Sequence, residues 1–152
     1  MNEEVTQTNS ELTGRRESSP GFYSWLISSI GFIVLTQVVR VLVKNSNKKI
    51  FYNEKFAFSI NIPLAVIYSL YFLVFGFMTY YLIRYWNKLS NLSKLGFGLI
   101  ISGGVANLAE RIYFGYVTDY IFVLNGVLNL ADIYIFLGAI LVVVSKTNSE
   151  KI

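Results

Sequence analysis

The chain alternates between long apolar runs and shorter polar segments. Four runs approach or exceed the length that a helix rising about 1.5 Å per residue needs to cross a hydrocarbon core of roughly 30 Å. They occupy residues 22–43, 62–85, 95–112 and 128–145. The pattern therefore predicts an all-α integral membrane protein with four transmembrane helices.

Three connections separate the predicted spans. Residues 44–61 mix polar and aromatic side chains and show some strand character around residues 50–52, and residues 86–94 form a short polar loop. Residues 113–127 are apolar but interrupted by two glycines, which is typical of a segment that lies at the membrane interface.

Both chain ends are polar. Residues 1–20 are mixed in charge and predict a flexible extension, because the apolar run that follows is too long for the core of a secretory signal. Residues 21–146 form the predicted membrane domain and residues 147–152 its tail. Since four spans return the chain to its starting side, and Lys and Arg are more frequent on that side, we expect cytoplasmic termini.

Composition agrees with a membrane location and removes several kinds of chemistry. Apolar residues make up 54% of the chain and charged residues 14%, below the roughly 25% that is usual in soluble domains. There is no His, which excludes Ser-His-Asp triads and His-bound zinc, and no Cys, which excludes thiol nucleophiles and disulfides. The net charge of +4 is scattered over the loops, so no nucleic-acid partner is expected.

Asp119 and Asp132 are the only aspartates of the chain. Asp119 lies within the third connection, which returns the chain to the same membrane surface, and Asp132 lies about one turn inside the fourth span. Both carboxylates are therefore expected at the same rim of the membrane. Two close carboxylates share a proton, and such a pair can split an amide bond without His, Cys or metal. An ion site, a proton site or a helix-packing group is an equally ordinary use of an intramembrane Asp.

The end of the third span carries further polar residues. At helical spacing Gly103, Asn107, Glu110 and Arg111 share one face, next to small residues that permit close helix approach. A purely structural polar cluster would look the same. A Ser-Lys pair is disfavoured, because its candidates lie in the polar loop on the presumed cytoplasmic side. These candidates are Ser90 and Lys94.

Three segments resemble, in order and spacing, motifs of the lipoprotein signal peptidase (signal peptidase II) family. Gly103–Arg111 is similar to GG-x-x-GN-x-x-DR, Gly115–Tyr120 to V-x-D-[FY], and Leu128–Asp132 to [FV]-N-x-AD. In the first half of the chain, Asn53–Ser59 is similar to N-x-G-x-AFS, and Thr36–Arg40 lies where the family has DQ-x-x-K.

The resemblance implies an aspartyl endopeptidase of the bacterial plasma membrane. Such an enzyme removes the signal peptide from diacylglyceryl-modified prolipoproteins, works among membrane lipids without metal or cofactor, and is inhibited by globomycin. By position, Asp119 and Asp132 match the catalytic pair. An extracytoplasmic β-like cradle is implied around Asn53. The residues that match orienting positions are Asn53, Asn107, Arg111 and Asn129, and those that match supporting positions are Gln37, Arg40 and Glu110.

The chain departs from the family pattern at five positions, all outside the aspartate pair. The family has Asp at Thr36, Lys at Arg40, Gly at Lys55, a small residue at Phe56 and Asp at Glu110. These differences are typical of a divergent member. The alternative is a non-catalytic four-helix membrane protein, such as a small transporter or an assembly partner, in which the two aspartates are structural or bind a cation.

Overall fold

The computed structural model describes residues 21–54, 62–124 and 126–149. Within these ranges the chain is mostly helical, with four short strands. The helices are α1 (Phe22–Lys44), α2 (Leu64–Tyr85), α3 (Asn91–Phe114) and α4 (Leu130–Ser149), and a 3₁₀ helix (Trp86–Lys88) joins α2 to α3. The strands are β1 (Phe51–Asn53), β2 (Val117–Asp119), β3 (Ile121–Val123) and β4 (Gly126–Leu128).

The helices confirm the prediction of a multi-pass membrane protein. Among the described residues, Phe22–Lys44, Ala65–Lys88 and Asn91–Phe114 are long and apolar enough to cross a bilayer. The apolar part of α4, Leu130–Ser145, is shorter. The fourth span therefore stays a prediction, whereas the helical architecture around it is observed.

Helices α3 and α4 form the centre of the fold and pack against each other along their length. Gly103 faces the backbone oxygen of Ala131, and farther along the pair Gly96 and Gly138 each face the other's carbonyl oxygen. A side chain at any of these glycines would collide with the opposite backbone. The small residues thus allow the close helix approach that the sequence predicts.

Helix α1 packs on another side of α3, and α2 meets α3 through large side chains spread along its length, such as Tyr71, Phe75 and Tyr81. The Gly98 position on α3 faces Trp25 and Ser29 of α1, and Ser102 donates a hydrogen bond to the Ser29 carbonyl oxygen at 2.9 Å. The closest backbone packing is therefore among α1, α3 and α4, while α2 contributes Ile67, Met78 and Leu82 to the buried core.

Two predicted helix boundaries are wrong. Helix α3 begins at Asn91 instead of residue 95, because the Ser90 hydroxyl accepts a hydrogen bond from the Ser93 backbone N–H at 3.0 Å and caps the helix. Helix α4 continues to Ser149, so the predicted tail begins inside it. The predicted extension at residues 1–20 and the departures Lys55 and Phe56 lie outside the described residues.

The third connection is a set of strands where the sequence predicted a single interfacial segment. Helix α3 ends at Gly115, whose φ of 81° is the left-handed conformation that glycine adopts most easily, and the chain turns back there. Strand β2 then pairs antiparallel with β1, and β3 pairs antiparallel with β4. The strand expected near residues 50–52 is confirmed as β1.

Candidate active site

Asp119 is the last residue of β2 and is only 2% exposed. Its carboxylate accepts two hydrogen bonds from amide side chains. Asn53, at the end of β1, donates from Nδ2 to Oδ2 at 3.0 Å, and Asn129 donates from Nδ2 to Oδ1 at 2.8 Å. The β1–β2 pairing is what brings Asn53, which lies 66 residues away in the chain, to this carboxylate.

Asp132 lies in the first turn of α4 and is held by the residues around the start of that helix. Its Oδ2 accepts a hydrogen bond from the Asn129 backbone N–H at 3.0 Å, and its own backbone N–H donates to Asn129 Oδ1 at 3.1 Å. This reciprocal pair is a capping box, which fixes both side chains at the helix start. Asn107 of α3 donates to Asp132 Oδ1 at 2.8 Å.

The two carboxylates are joined through amides. Asn129 Nδ2 donates to Asn107 Oδ1 at 3.1 Å as well as to Asp119, so Asn129 contacts both aspartates and Asn107. We call these five side chains the carboxylate–amide network; its members are Asn53, Asn107, Asp119, Asn129 and Asp132. The structure thus brings together the predicted catalytic pair and three of the four predicted orienting residues.

The fourth predicted orienting residue, Arg111, contacts the network through the backbone. Its Nη1 donates to the Asn107 carbonyl oxygen at 3.4 Å and to the Tyr71 hydroxyl of α2 at 3.2 Å. Arg111 is therefore close to the pair and also connects α2 to the site. Nothing in the sequence distinguished Tyr71 from the other ten tyrosines of the chain.

Two of the predicted supporting residues act on the strand that carries Asp119. Glu110 Oε2 accepts a hydrogen bond from the Thr118 backbone N–H at 2.9 Å, and Glu110 Oε1 lies 3.7 Å from Arg40 Nε. Glu110 therefore ties α1 and α3 to β2. The third supporting residue, Gln37, is not linked to the network: its buried Nε2 has no hydrogen-bond partner in the described part of the chain.

Tyr120 is a site residue that the sequence analysis did not single out. Its backbone N–H donates to the Leu128 carbonyl oxygen at 2.9 Å, and its hydroxyl accepts from the Leu130 backbone N–H at 3.2 Å. Tyr120 thereby closes the hairpin between the two aspartates. Its place directly after Asp119, in the V-x-D-[FY] segment, was a signal that could have identified it.

Burial is the main influence on the protonation of Asp119. It raises the pKa of this carboxyl group to about 6, and the nearby Asp132 charge acts in the same direction. The hydrogen bonds from Asn129 and Asn53, and the Arg111 charge, lower the pKa and oppose the effect of burial in part. Asp119 therefore binds a proton at a pH far above the usual range for Asp.

The donor set around the pair is made of amides and carboxylates. Within residues 21–54, 62–124 and 126–149, no three or more His, Cys, Asp or Glu side chains gather as a metal site. Because burial raises the pKa of Asp119 to about 6, this carboxyl group can take up or give off a proton near neutral pH.

Comparison with known proteins places the chain in a family. The sequence pattern of the family described as "Signal peptidase (SPase) II" matches residues 21–147 of this chain. Proteins named lipoprotein signal peptidase are similar in sequence. The Streptococcus thermophilus protein is 31% identical over 130 residues, which cover 83% of this chain and 82% of that protein.

Two further relatives match over shorter stretches. The Bartonella henselae lipoprotein signal peptidase is 45% identical over 62 residues, covering 37% of this chain and 38% of the relative. The Halothermothrix orenii protein is 44% identical over 64 residues, which cover 41% of this chain and 44% of that protein. The chain thus spans less than half the length of these two relatives.

Two solved structures, both titled as bacterial membrane enzyme structures, share the fold. One has a TM-score of 0.67 at 14% identity and covers 85% of this chain and 90% of the other. The second has a TM-score of 0.69 at 15% identity, and the match covers 81% of this chain and 92% of the other. Since the family match extends over nearly the whole described chain, the protein belongs to the signal peptidase II family, as its motifs predict.

Proposed function

We propose that this chain is an aspartyl endopeptidase that removes the signal peptide from diacylglyceryl-modified bacterial prolipoproteins. The observation that carries the proposal is that one residue, Asn129, hydrogen-bonds both Asp119 and Asp132. The Asn129 side chain donates to Asp119 and its backbone N–H donates to Asp132, and two carboxylates brought close in this way can share one proton. Membership of the signal peptidase II family supports a peptidase, and the relatives' names support a prolipoprotein substrate.

In the proposed mechanism, Asp119 holds the shared proton and Asp132 is ionised. Asp132 takes a proton from the water molecule as its oxygen attacks the scissile carbonyl carbon, while Asp119 donates its proton to the carbonyl oxygen. The tetrahedral intermediate then collapses: the C–N bond breaks, the leaving amine of the modified cysteine receives a proton from Asp132, and one hydroxyl of the intermediate returns a proton to Asp119 as the C=O bond forms again. The signal peptide leaves with a new carboxyl group, and the pair is back in its starting state. The raised pKa of Asp119 suits its role as the acid.

The neighbouring polar residues orient this pair. Asn107 and Asn129 fix the directions of the carboxylate oxygens, and Asn53 brings the β1–β2 pair, our proposed substrate cradle, to Asp119. Arg111 positions Asn107, and Glu110 with Arg40 positions the backbone that precedes Asp119.

The proposed enzyme is a four-span protein of the bacterial plasma membrane, with residues 21–146 as its peptidase domain and both termini in the cytoplasm. In this orientation the carboxylate–amide network lies at the outer rim, where a lipid-anchored peptide bond would arrive from the side. Lys and Arg flanking the spans support the orientation. No metal, cofactor or nucleic acid takes part.

A processing assay tests the proposal. The full chain in lipid nanodiscs is incubated with a diacylglyceryl-modified prolipoprotein and, as a control, with the same protein lacking the lipid, each with and without globomycin. We expect cleavage of the modified substrate before its lipidated cysteine, inhibition by globomycin and no effect of a chelator. Absence of cleavage by the wild type would favour the non-catalytic alternative, and inhibition by the chelator would contradict the aspartyl mechanism.

A further inference from the structure

The last residue of α1, Lys44, lies among three aromatic rings that the site does not otherwise use. Its Nζ is 4.6 Å from the ring centre of Phe114, 5.2 Å from that of Tyr116 and 5.6 Å from that of Tyr52. We call these rings the Lys44 cage. A cation over the face of an aromatic ring within about 6 Å is attracted by the ring's charge distribution.

The three rings belong to the segments that carry the site. Tyr52 is on β1 directly before Asn53, Phe114 ends α3, and Tyr116 directly precedes β2. The rings also contact one another: Tyr52 and Tyr116 are 4.7 Å apart in an edge-to-face arrangement, and Phe114 and Tyr116 stack at 5.9 Å. Lys44 therefore bridges α1 to both sides of the β1–β2 pair.

The β1–β2 pair needs such a support. Each strand has three residues, and an isolated two-stranded pair is marginally stable at best in water. Yet Asn53, the last residue of β1, must stay 3.0 Å from the Asp119 carboxylate to keep its hydrogen bond. The few backbone hydrogen bonds between β1 and β2 hold this distance only weakly. Side-chain contacts outside the strand pair are therefore needed to keep Asn53 at the Asp119 carboxylate.

A second cation of α1 holds the other strand. Arg40, one helical turn before Lys44, lies 4.6 Å from the same Phe114 ring and pairs with Glu110, which accepts the Thr118 N–H. The positive charges of Arg40 and Lys44, one turn apart on α1, repel each other. Their contacts with the aromatic rings and with Glu110 offset this repulsion. Arg40 thereby reaches β2 and Lys44 reaches β1.

We propose that Lys44 and its cage are a positioning device that holds β1 against β2, so that Asn53 remains hydrogen-bonded to Asp119. Lys44 acts through Asn53 and does not touch the reacting atoms. The proposal rests on the peptidase function proposed above, since its consequence is measured in catalysis.

A double-mutant cycle in full-length protein tests this role. Lys44→Met keeps the length of the side chain and removes its charge, and we expect kcat/KM for prolipoprotein cleavage to fall by about 5- to 30-fold, from the usual strength of cation–π contacts. Lys44→Arg keeps a cation over the rings and should retain most activity. When Lys44→Met is added to Asn53→Ala, we expect kcat/KM to fall by no more than about a further twofold, because the Asn53 side chain that Lys44 positions is absent from that background.

The chain offers a matched control. Lys49 lies 5.3 Å from the Phe122 ring on β3, so Lys49→Met removes a cation–π contact of the same kind away from Asn53. We expect it to change kcat/KM by less than about twofold. If Lys44→Met fails to fold, Tyr52→Leu replaces it in the cycle, since this ring is half exposed and can be removed without opening the core.

The pH dependence gives a readout that a general loss of stability would not move. The Asn53 hydrogen bond lowers the pKa of Asp119, so both Asn53→Ala and Lys44→Met should shift the profile of kcat/KM to higher pH by similar amounts. Losses that multiply in the double variant, or an unshifted profile, would overturn the role of Lys44. An inactive wild type would instead overturn the peptidase function.

Discussion

The two ends of α3 both bury polar side chains, but with different chemistry. At its start the groups are neutral hydroxyls: Ser93 hydrogen-bonds Ser145 of α4 and Ser90, and each can donate and accept. Toward its end the partners are two carboxylates and the amides of the carboxylate–amide network. Both ends contact α4, so packing of these helices does not by itself require charged groups.

The hydroxyl end has groups that suit helix packing, whereas the carboxylate end has the groups to which we assign the chemistry. Hydroxyl pairs satisfy each other in a membrane bundle and contribute modestly to helix association. Two carboxylates brought close together, Asp119 buried and Asp132 half-buried, are unfavourable, because each resists losing water and repels the other. The end with Lys94 also holds a buried charge, but that ammonium lies 4.7 Å from the Trp86 ring, a position that favours a cation. Of the two ends of α3, the carboxylate end is the one that brings together two groups, Asp119 and Asp132, whose negative charges oppose each other.

The largest expected effect is at the carboxylate end. Asp119→Asn and Asp132→Asn should each lower the rate of prolipoprotein cleavage by roughly 10⁴-fold or more, because removing one member of a catalytic pair removes the mechanism. Cleavage is followed by the mobility shift of the mature lipoprotein, and folding by thermal unfolding in nanodiscs. Either variant processing substrate at near wild-type rate would contradict the aspartyl mechanism.

The amide that joins the two carboxylates should be next in size. Asn129→Ala removes the bond to Asp119, the bond to Asn107 and half of the capping box. We expect kcat to fall on the order of 10²-fold, similar to the loss of one oriented donor in other active sites. Stability should fall by about 1 kcal/mol from the lost cap. A change in KM with kcat intact would instead assign Asn129 to substrate binding.

The pH dependence tests whether Asp119 is the acid. Burial raises its pKa to about 6, so the protonated form that donates to the carbonyl oxygen is lost as pH rises through that value. We expect kcat/KM to fall with rising pH around an apparent midpoint near 6. A profile that rises through this range would assign the shared proton to Asp132 and reverse the two roles.

Two glycines sharpen the comparison because both lie in the α3–α4 seam. Gly103 faces the Ala131 backbone next to Asp132, whereas Gly138 faces Gly96, nearer the hydroxyl end. Alanine at either position should destabilise the fold by about 1–3 kcal/mol through overpacking. Gly103→Ala should also lower activity, since it displaces the start of α4. If both variants lost activity equally when compared at the same folded fraction, the expected difference between Gly103, next to Asp132, and Gly138 would be contradicted.

The smallest effect should come from the hydroxyl end. Ser145→Ala removes the partner of Ser93, which keeps its bond with Ser90. We expect a loss of about 0.5–1.5 kcal/mol in unfolding free energy and no change in cleavage rate. A substantial fall in activity without unfolding would show that this end also takes part in function.

The helices were predictable because their signal is local. Long apolar runs, and the small residues within the third run, follow directly from the sequence, and the helical architecture agrees with both. The boundaries were less predictable: the start of α3 depends on the Ser90 cap, which lies within a segment that is polar enough to look like loop. Likewise, β2 forms within the third connection because β1 supplies its partner, and that pairing is not a local property, whereas β3 and β4 pair with each other.

For the site, chain order and residue type identified the participants but not their contacts. The scarcity of aspartates and their motif spacing pointed to Asp119 and Asp132, and the same motifs indicated Asn53, Asn107 and Asn129. The sequence could not show that Glu110 holds the Thr118 N–H, or that Gln37 stays apart from the network. It also gave no reason to select Lys44, whose ring partners lie on three separate segments.

The amino-acid sequence by itself determined that this protein is a helical membrane protein whose only aspartates are Asp119 and Asp132, because hydropathy and residue identity are properties of single positions. Only the tertiary structure decided that Asn53 reaches Asp119, that Asn107 reaches Asp132, and that burial raises the pKa of Asp119. Hydrogen bonding and desolvation depend on distances between groups far apart in the chain, and those distances exist only after the helices and strands have packed.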